Sequence, residues 1–184
     1  MLVKSIQIRD RNFWKQFPRV MIFGRPGNGK STFSAKLHRF TGIPLYHIDR
    51  FFYQEHWVER PYQDFLNELQ AIVDTEKWII DGNGTLSLEV RYKKASLCLY
   101  FNYPRWQCYW RAFKRYCKKD PAILDRPPFC SEWMFQWKFI RYVWTFSTRV
   151  DPTIAYLRAR YPQVRFVEIC SDADLKNFES QLKK

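Results

Sequence analysis

The chain has no apolar run of the length, about eighteen residues, that a membrane span requires, and its opening MLVKSIQIRD contains no long apolar stretch. Neither a membrane span nor a secretion signal is expected. Paired cysteines are missing as well. Cys98, Cys108, Cys117, Cys130 and Cys170 are odd in number and include no C-x-x-C spacing, which disfavours a zinc site or a disulfide framework and suggests a reducing, cytoplasmic setting. Acidic residues are scarce: Asp and Glu number 18 against 31 Lys and Arg, giving a net charge of +13 and a pI near 9.7. The expected partners are therefore anionic, a class that holds nucleotides, nucleic acids and acidic membrane surfaces. No repeat, low-complexity tract or linker divides the 184 residues, of which 46% are hydrophobic, so one domain covering 1–184 with a sizeable core is expected.

What the chain does contain is GRPGNGKS, Gly24 to Ser31, directly after the apolar stretch Val20-Met21-Ile22-Phe23. This reads as a strand entering a phosphate-binding loop. Gly24, Gly27 and Gly29 let the backbone curl so that successive N–H groups face phosphate oxygens, with Arg25, Pro26 and Asn28 completing the loop. Lys30 is placed to reach the β- and γ-phosphates as a point charge, and the Ser31 hydroxyl to ligate Mg²⁺. Thr32 opens a helix whose N-terminal dipole favours the same anion.

Beyond the loop, apolar strands alternate with helical periodicity. Strands are expected at Arg19 to Phe23, Pro44 to Ile48, Trp78 to Ile80, Ser96 to Phe101 and Val164 to Ile169. Helices are expected at Ser31 to Phe40, Tyr62 to Val73, Arg105 to about Lys119 and Ser131 to Arg149, with a further helix after Pro152 reaching Arg160. Ser171 and Asp174 form a capping box for a last helix. Five such alternations imply an α/β fold with a parallel, doubly wound sheet. Ligands of such sheets bind at the carboxyl ends of the strands, where the Gly24 loop, Asp49, Asp81 and Asn102 all fall.

A phosphotransferase needs a carboxylate beside the loop to organise Mg²⁺, and Asp81, ending Trp78-Ile79-Ile80, is the candidate. Asp49 could orient or deprotonate an acceptor hydroxyl. His47 is expected to be a packed strand residue, because alternation points it away from Ile48. Arg111 and Arg115, four apart on one helical face, and Arg126 in a Pro-rich loop are candidates to neutralise charge from a lid over about 111–130. Arg91 could hold an anionic group of the acceptor. Trp106, Tyr109 and Trp110 interleave with Arg111 and Arg115 in a way that suits nucleic acid, but aromatics at helical spacing are expected to be core, as are Trp133, Trp137, Ile140 and Trp144.

The segments GRPGNGKST, YHIDRFFYQEHWVERP, KWIIDGNG, Arg91 and LCLYFNYPR together resemble the topology modulation protein group of P-loop kinases, itself similar to adenylate and shikimate kinases. The likeness spans Arg19 to Phe178. It implies a three-layer P-loop NTPase fold with strand order 2-3-1-4-5, ATP or GTP with Mg²⁺ as cofactors, an arginine-bearing lid, and a role for Asp81 in holding the metal's waters. The implied activity is transfer of a γ-phosphoryl group to a small-molecule acceptor such as a nucleoside or nucleotide. The alternative is a nucleic-acid-associated NTPase or regulatory module linked to DNA topology. The chain departs from the group's pattern at Gly84, where an aromatic follows D-G-N, and at Asn102, where Asp is common and Asn cannot serve as a base.

Overall fold

Along the first strand, β1 (Arg19–Gly24), side chains alternate between two separate cores: Val20 and Ile22 enter one, Met21 and Phe23 the other. A strand that buries both faces must lie inside a sheet with a layer on each side. The computed structural model describes residues 14–52, 58–118 and 137–180, with backbone alone at 112, 115–118, 137–139 and 178–180. After β1 come α1 (Lys30–Thr41), β2 (Leu45–His47), α2 (Ile48–Phe52), α3 (Tyr62–Val73) and β3 (Trp78–Asp81). A short 3-10 turn at Thr85–Ser87 then leads into α4 (Leu88–Tyr92), β4 (Leu97–Phe101), α5 (Arg105–Lys118), α6 (Trp137–Arg160), β5 (Arg165–Ile169) and α7 (Asp172–Ser180).

The five strands form one parallel sheet in the order β2-β3-β1-β4-β5. This is the expected three-layer α/β arrangement and strand order. Burial follows position in the sheet: β3 and β4 are buried at every residue, whereas the edge strands β2 and β5 are largely half-buried or exposed. Alternation repeats on β4, where Leu97, Leu99 and Phe101 join the core that holds Phe33 and Leu37 of α1. Cys98 and Tyr100 join the opposite core, with Phe65 and Leu69 of α3 and Phe146 and Val150 of α6.

Helix ends follow local chemistry. Gly42 terminates α1, its N–H donating to the His38 carbonyl at 2.8 Å. Ser171 Oγ accepts from the Asp174 N–H at 3.1 Å, the N-cap half of the expected capping box, while Asp174 Oδ2 reaches one residue further back, to the Cys170 N–H at 3.1 Å. Pro152 does not divide the chain as expected, because α6 runs through it from Trp137 to Arg160. Proline removes the donor for the carbonyl four residues earlier and crowds it, but Thr148 and Pro152 both lie on the exposed side, where that carbonyl can tilt out toward solvent. Among the described residues no helix is long and apolar enough to cross a membrane.

Candidate functional site

The loop from Gly24 to Lys30 is held open by bonds made through its edges. Gly24, at φ 143°, lies so close to β4 that a Cβ there would overlap the Phe101 carbonyl. Its N–H donates to Asn83 Oδ1 at 3.1 Å, fastening the loop to the turn after β3. On the other side Asn28, fully buried, donates Nδ2 to the Phe101 carbonyl at 2.8 Å and accepts the Lys30 N–H on Oδ1 at 3.3 Å. Arg25 turns inward and donates to the Tyr103 carbonyl and to Ser147 Oγ. Its guanidinium therefore fixes the loop to α6 and is not directed at a ligand. Pro26 and Gly27 remain partly exposed at the tip.

Gly29, at φ 87°, caps α1 and brings no side chain to the cap. The first turn of α1 contains no acidic residue. Asn28 Oδ1 takes the Lys30 N–H, while the Ser31 and Thr32 N–H groups have no intrahelical acceptor, and with the helix dipole they suit an anion. Lys30 extends Nζ back across the loop toward the Arg25 carbonyl at 3.4 Å. Ser31 is partly exposed and Thr32 exposed at the start of the helix.

Asp81 lies behind the loop, 3% exposed, in register with Ile22 of β1 and His47 of β2. His47 Nδ1 is 3.0 Å from Asp81 Oδ2, and Ser34 Oγ reaches the same oxygen at 3.4 Å. Burial alone would raise the Asp81 pKa. The hydrogen bond from His47, the charge of Lys30 and the nearby Ser31 hydroxyl outweigh it and hold the carboxyl below its usual range. Asp81 Oδ1 is buried with no hydrogen-bond partner. A buried, unbonded oxygen of an ionised carboxylate is costly, and the water shell of a cation beside the phosphates would satisfy it. Asp81 and Ser31 thus fit a Mg²⁺ ion. Among the described residues no group of three or more His, Cys, Asp or Glu could form an all-protein metal cage, so such an ion would take its remaining ligands from water and phosphate.

Asp49 lies in the first turn of α2, two residues past the end of β2, and is near enough to Arg91 to act on its charge. Arg91 is a correction to the sequence reading. It is completely buried, donating Nη1 to the Gly82 carbonyl at 2.9 Å, Nη2 to those of Asn83 and Gly84 at 3.1 and 2.9 Å, and Nε to that of Ser87 at 3.4 Å. Burial pushes its guanidinium down to about 10, opposed by the charge of Asp49. With four of its five N–H donors on these carbonyls, Arg91 organises the D-G-N-G turn from inside the structure. Asn102 donates Nδ2 to Glu168 Oε1 at 2.7 Å.

Arg111 is brought to the loop. Its Nη1 donates to the Asn28 carbonyl at 3.4 Å, the guanidinium covers the Tyr103 ring at 4.5 Å, and Nη2 pairs with Asp172 at the start of α7. Arg115 follows one turn later on α5 with its backbone alone described, and Arg126 and the expected lid beyond residue 118 lie outside the described residues. The aromatics of α5 also depart from expectation: Trp106, Tyr109 and Trp110 are exposed, as is Trp144 of α6. Helical spacing turns Cys108 and Arg111 inward, which sends the aromatics between them to the opposite face. Ile140 is half-buried, Trp133 is outside the described residues, and Trp137 has backbone alone described.

Sequence reasoning missed His47 as a partner of Asp81 and Asn83 as a clamp on the loop. The place of Asn83 inside W-I-I-D-G-N was the available signal for the second.

No protein-family model matches the chain, and no curated protein matches it. Its likeness is to solved structures. A shikimate kinase from Acinetobacter baumannii in complex with shikimate superposes with a TM-score of 0.57, covering 95% of this chain and 98% of that one at 15% identity. A shikimate kinase from Bacteroides thetaiotaomicron superposes with a TM-score of 0.55, covering 91% and 95% at 15% identity. The chain has the P-loop kinase fold.

Proposed function

We propose that this chain is a P-loop phosphotransferase that moves the γ-phosphoryl group of ATP or GTP, with Mg²⁺, to the hydroxyl of a small-molecule acceptor bound near Asp49. The observation that carries this reading is the glycine-capped, acid-free start of α1 beside the buried, unpartnered oxygen of Asp81. The kinase fold and the motif likeness to the topology modulation protein group support it.

The loop amides and the α1 dipole would bind the β-phosphate, and Lys30 would leave the Arg25 carbonyl to follow charge on the migrating group. Ser31 and Asp81 would hold Mg²⁺, which would supply neutralisation of the charge that develops on the phosphates. The acceptor oxygen forms a bond to γ-phosphorus as the bond to the β,γ-bridging oxygen breaks, and the acceptor's proton passes to Asp49. Arg111, already over the loop at the Asn28 carbonyl, would stabilise the transferred charge. Arg91 has no part in the chemistry beyond shaping the turn that holds Asp81. A shikimate kinase is one structural relative, yet the acceptor here is defined only as an alcohol, with nucleosides and nucleotides within that class.

Thermal unfolding with nucleotides, with and without Mg²⁺, tests the reading. ATP or GTP with Mg²⁺ should raise Tm by several degrees, since a ligand at about 100 times its Kd adds about 2.7 kcal/mol. The acceptor is identified as the compound that adds to that shift. No shift with any triphosphate at millimolar concentration would contradict the proposal.

A further inference from the structure

The hydrogen bond from His47 and the nearest approach of Ser34, whose hydroxyl proton is given to the Ser31 carbonyl at 3.0 Å, fall on a single oxygen of Asp81. His47 Nδ1 and Ser34 Oγ meet Oδ2 at 3.0 and 3.4 Å, while Oδ1 is buried without a partner. The sheet itself produces this arrangement. β2 and β3 are parallel, with His47 opposite Asp81, and residues in register on neighbouring strands project from the same face. That face also carries α1, with Ser31, Ser34 and the phosphate loop. An ionised carboxylate only accepts hydrogen bonds, so Nδ1 carries the hydrogen and the ring is fixed in one tautomer at that nitrogen. The ring has 17% of its side-chain surface exposed, enough to reach water at its far edge but not to swing freely.

The terminal torsion of an Asp side chain is broad, and packing alone seldom decides which carboxylate oxygen faces a site. Here the bond from His47 decides it. We infer that His47 is a positioning residue for the metal: it holds Asp81 by Oδ2 so that Oδ1 faces the water shell of the divalent cation bound with the nucleotide. This rests on the phosphotransferase reading, which supplies the cation. It assigns to His47 a role in metal-dependent nucleotide binding that is separable from folding and from binding of the nucleotide itself. Outer partners of this kind typically change metal affinity or activity 10–100-fold when removed.

The test is calorimetric titration of ATP into the full chain, once in EDTA and once in excess Mg²⁺, for the wild type, Asp81→Asn, His47→Leu, His47→Gln and His47→Asn. The quantity read is the gain in affinity that Mg²⁺ confers. His47→Leu removes the donor and should lower that gain by about tenfold, while affinity in EDTA stays within about twofold. His47→Asn places an amide nitrogen where Nδ1 was and should retain the wild-type gain. His47→Gln carries the same donor one bond further out and should fall between them, so the Asn–Gln contrast still decides the matter if His47→Leu does not fold. A Mg²⁺ gain equal across all the His47 variants while Asp81→Asn loses it would overturn this inference and leave the phosphotransferase reading standing. A loss in His47→Asn as large as in His47→Leu would overturn it too. A wild-type chain that binds ATP equally with and without Mg²⁺ would remove the reading and the inference together.

Discussion

Lys30→Ala is expected to lower phosphoryl transfer by about three orders of magnitude while leaving the fold in place. Lys30 is the cation of the loop nearest to where γ-phosphate charge would develop, and a positioned charge in a site of this kind contributes about 10²–10³ in rate or more. Its structural contribution is small. The ammonium makes one long bond, to the Arg25 carbonyl at 3.4 Å, from a partly exposed side chain. Losing it should cost no more than about 1 kcal/mol, or a few degrees in Tm. Steady-state turnover and a thermal melt on the same preparation separate the two effects. Unchanged turnover would remove Lys30 from the chemistry, and a large fall in Tm would show that the loop depends on it for shape.

Arg91→Met has the largest expected effect on stability. Methionine preserves length and apolar volume but brings no donor, so the Gly84 carbonyl keeps the Ser87 N–H and hydroxyl while those of Gly82, Asn83 and Ser87 lose the guanidinium in a buried or half-buried setting. Each strands an acceptor at about 1–3 kcal/mol, and relaxation of the turn recovers part of the sum. The guanidinium also offsets the charge of Asp49 beside it. Removing one partner of such a buried charged network typically costs about 3–5 kcal/mol, which lowers Tm by roughly 6–20 °C at this size. Urea unfolding measures it directly. A variant that unfolds like the wild type but binds an acceptor less well would restore the ligand role read from the sequence and contradict the structural one.

Arg91 marks the boundary of what the sequence displays. Its position after D-G-N-G is visible in the chain, but engagement by four carbonyls exists only once α4 packs against the turn. Arg25 is similar: loop membership was legible, whereas the inward path to Tyr103 and Ser147 depends on α6, more than a hundred residues away. The phosphate loop, the five strands and Asp81 were legible because each is written in local spacing, a glycine pattern or an apolar run with alternating faces. Local spacing marks His47 only as a packed strand residue, and what it meets is fixed by the register between β2 and β3, which leaves no local trace. The aromatics of α5 show the same limit. Helical spacing defines a face, but only the fold decides whether that face meets the core, and here Cys108 and Arg111 occupy the inner side. Pro152 was overweighted because a missing donor matters little where the stranded carbonyl is on the wet side of a helix.

Asp81 sits where these contributions meet. Arg91 shapes the turn that follows it, Asn83 ties that turn to Gly24, and His47 occupies one of its oxygens. Loop and carboxylate are therefore tied together across β1 and β3, as the proposed binding of a phosphate with its metal requires.

The most direct measurement is a crystal structure of the chain with a non-hydrolysable ATP or GTP analogue and Mg²⁺ at saturating concentration. The account predicts the β-phosphate within hydrogen-bonding distance of the amides from Gly27 to Ser31, with Lys30 turned from Arg25 toward the γ-phosphate and Asp81 Oδ1 facing a metal-bound water. An analogue bound elsewhere, or a loop left empty at that concentration with Lys30 still on the Arg25 carbonyl, would contradict it.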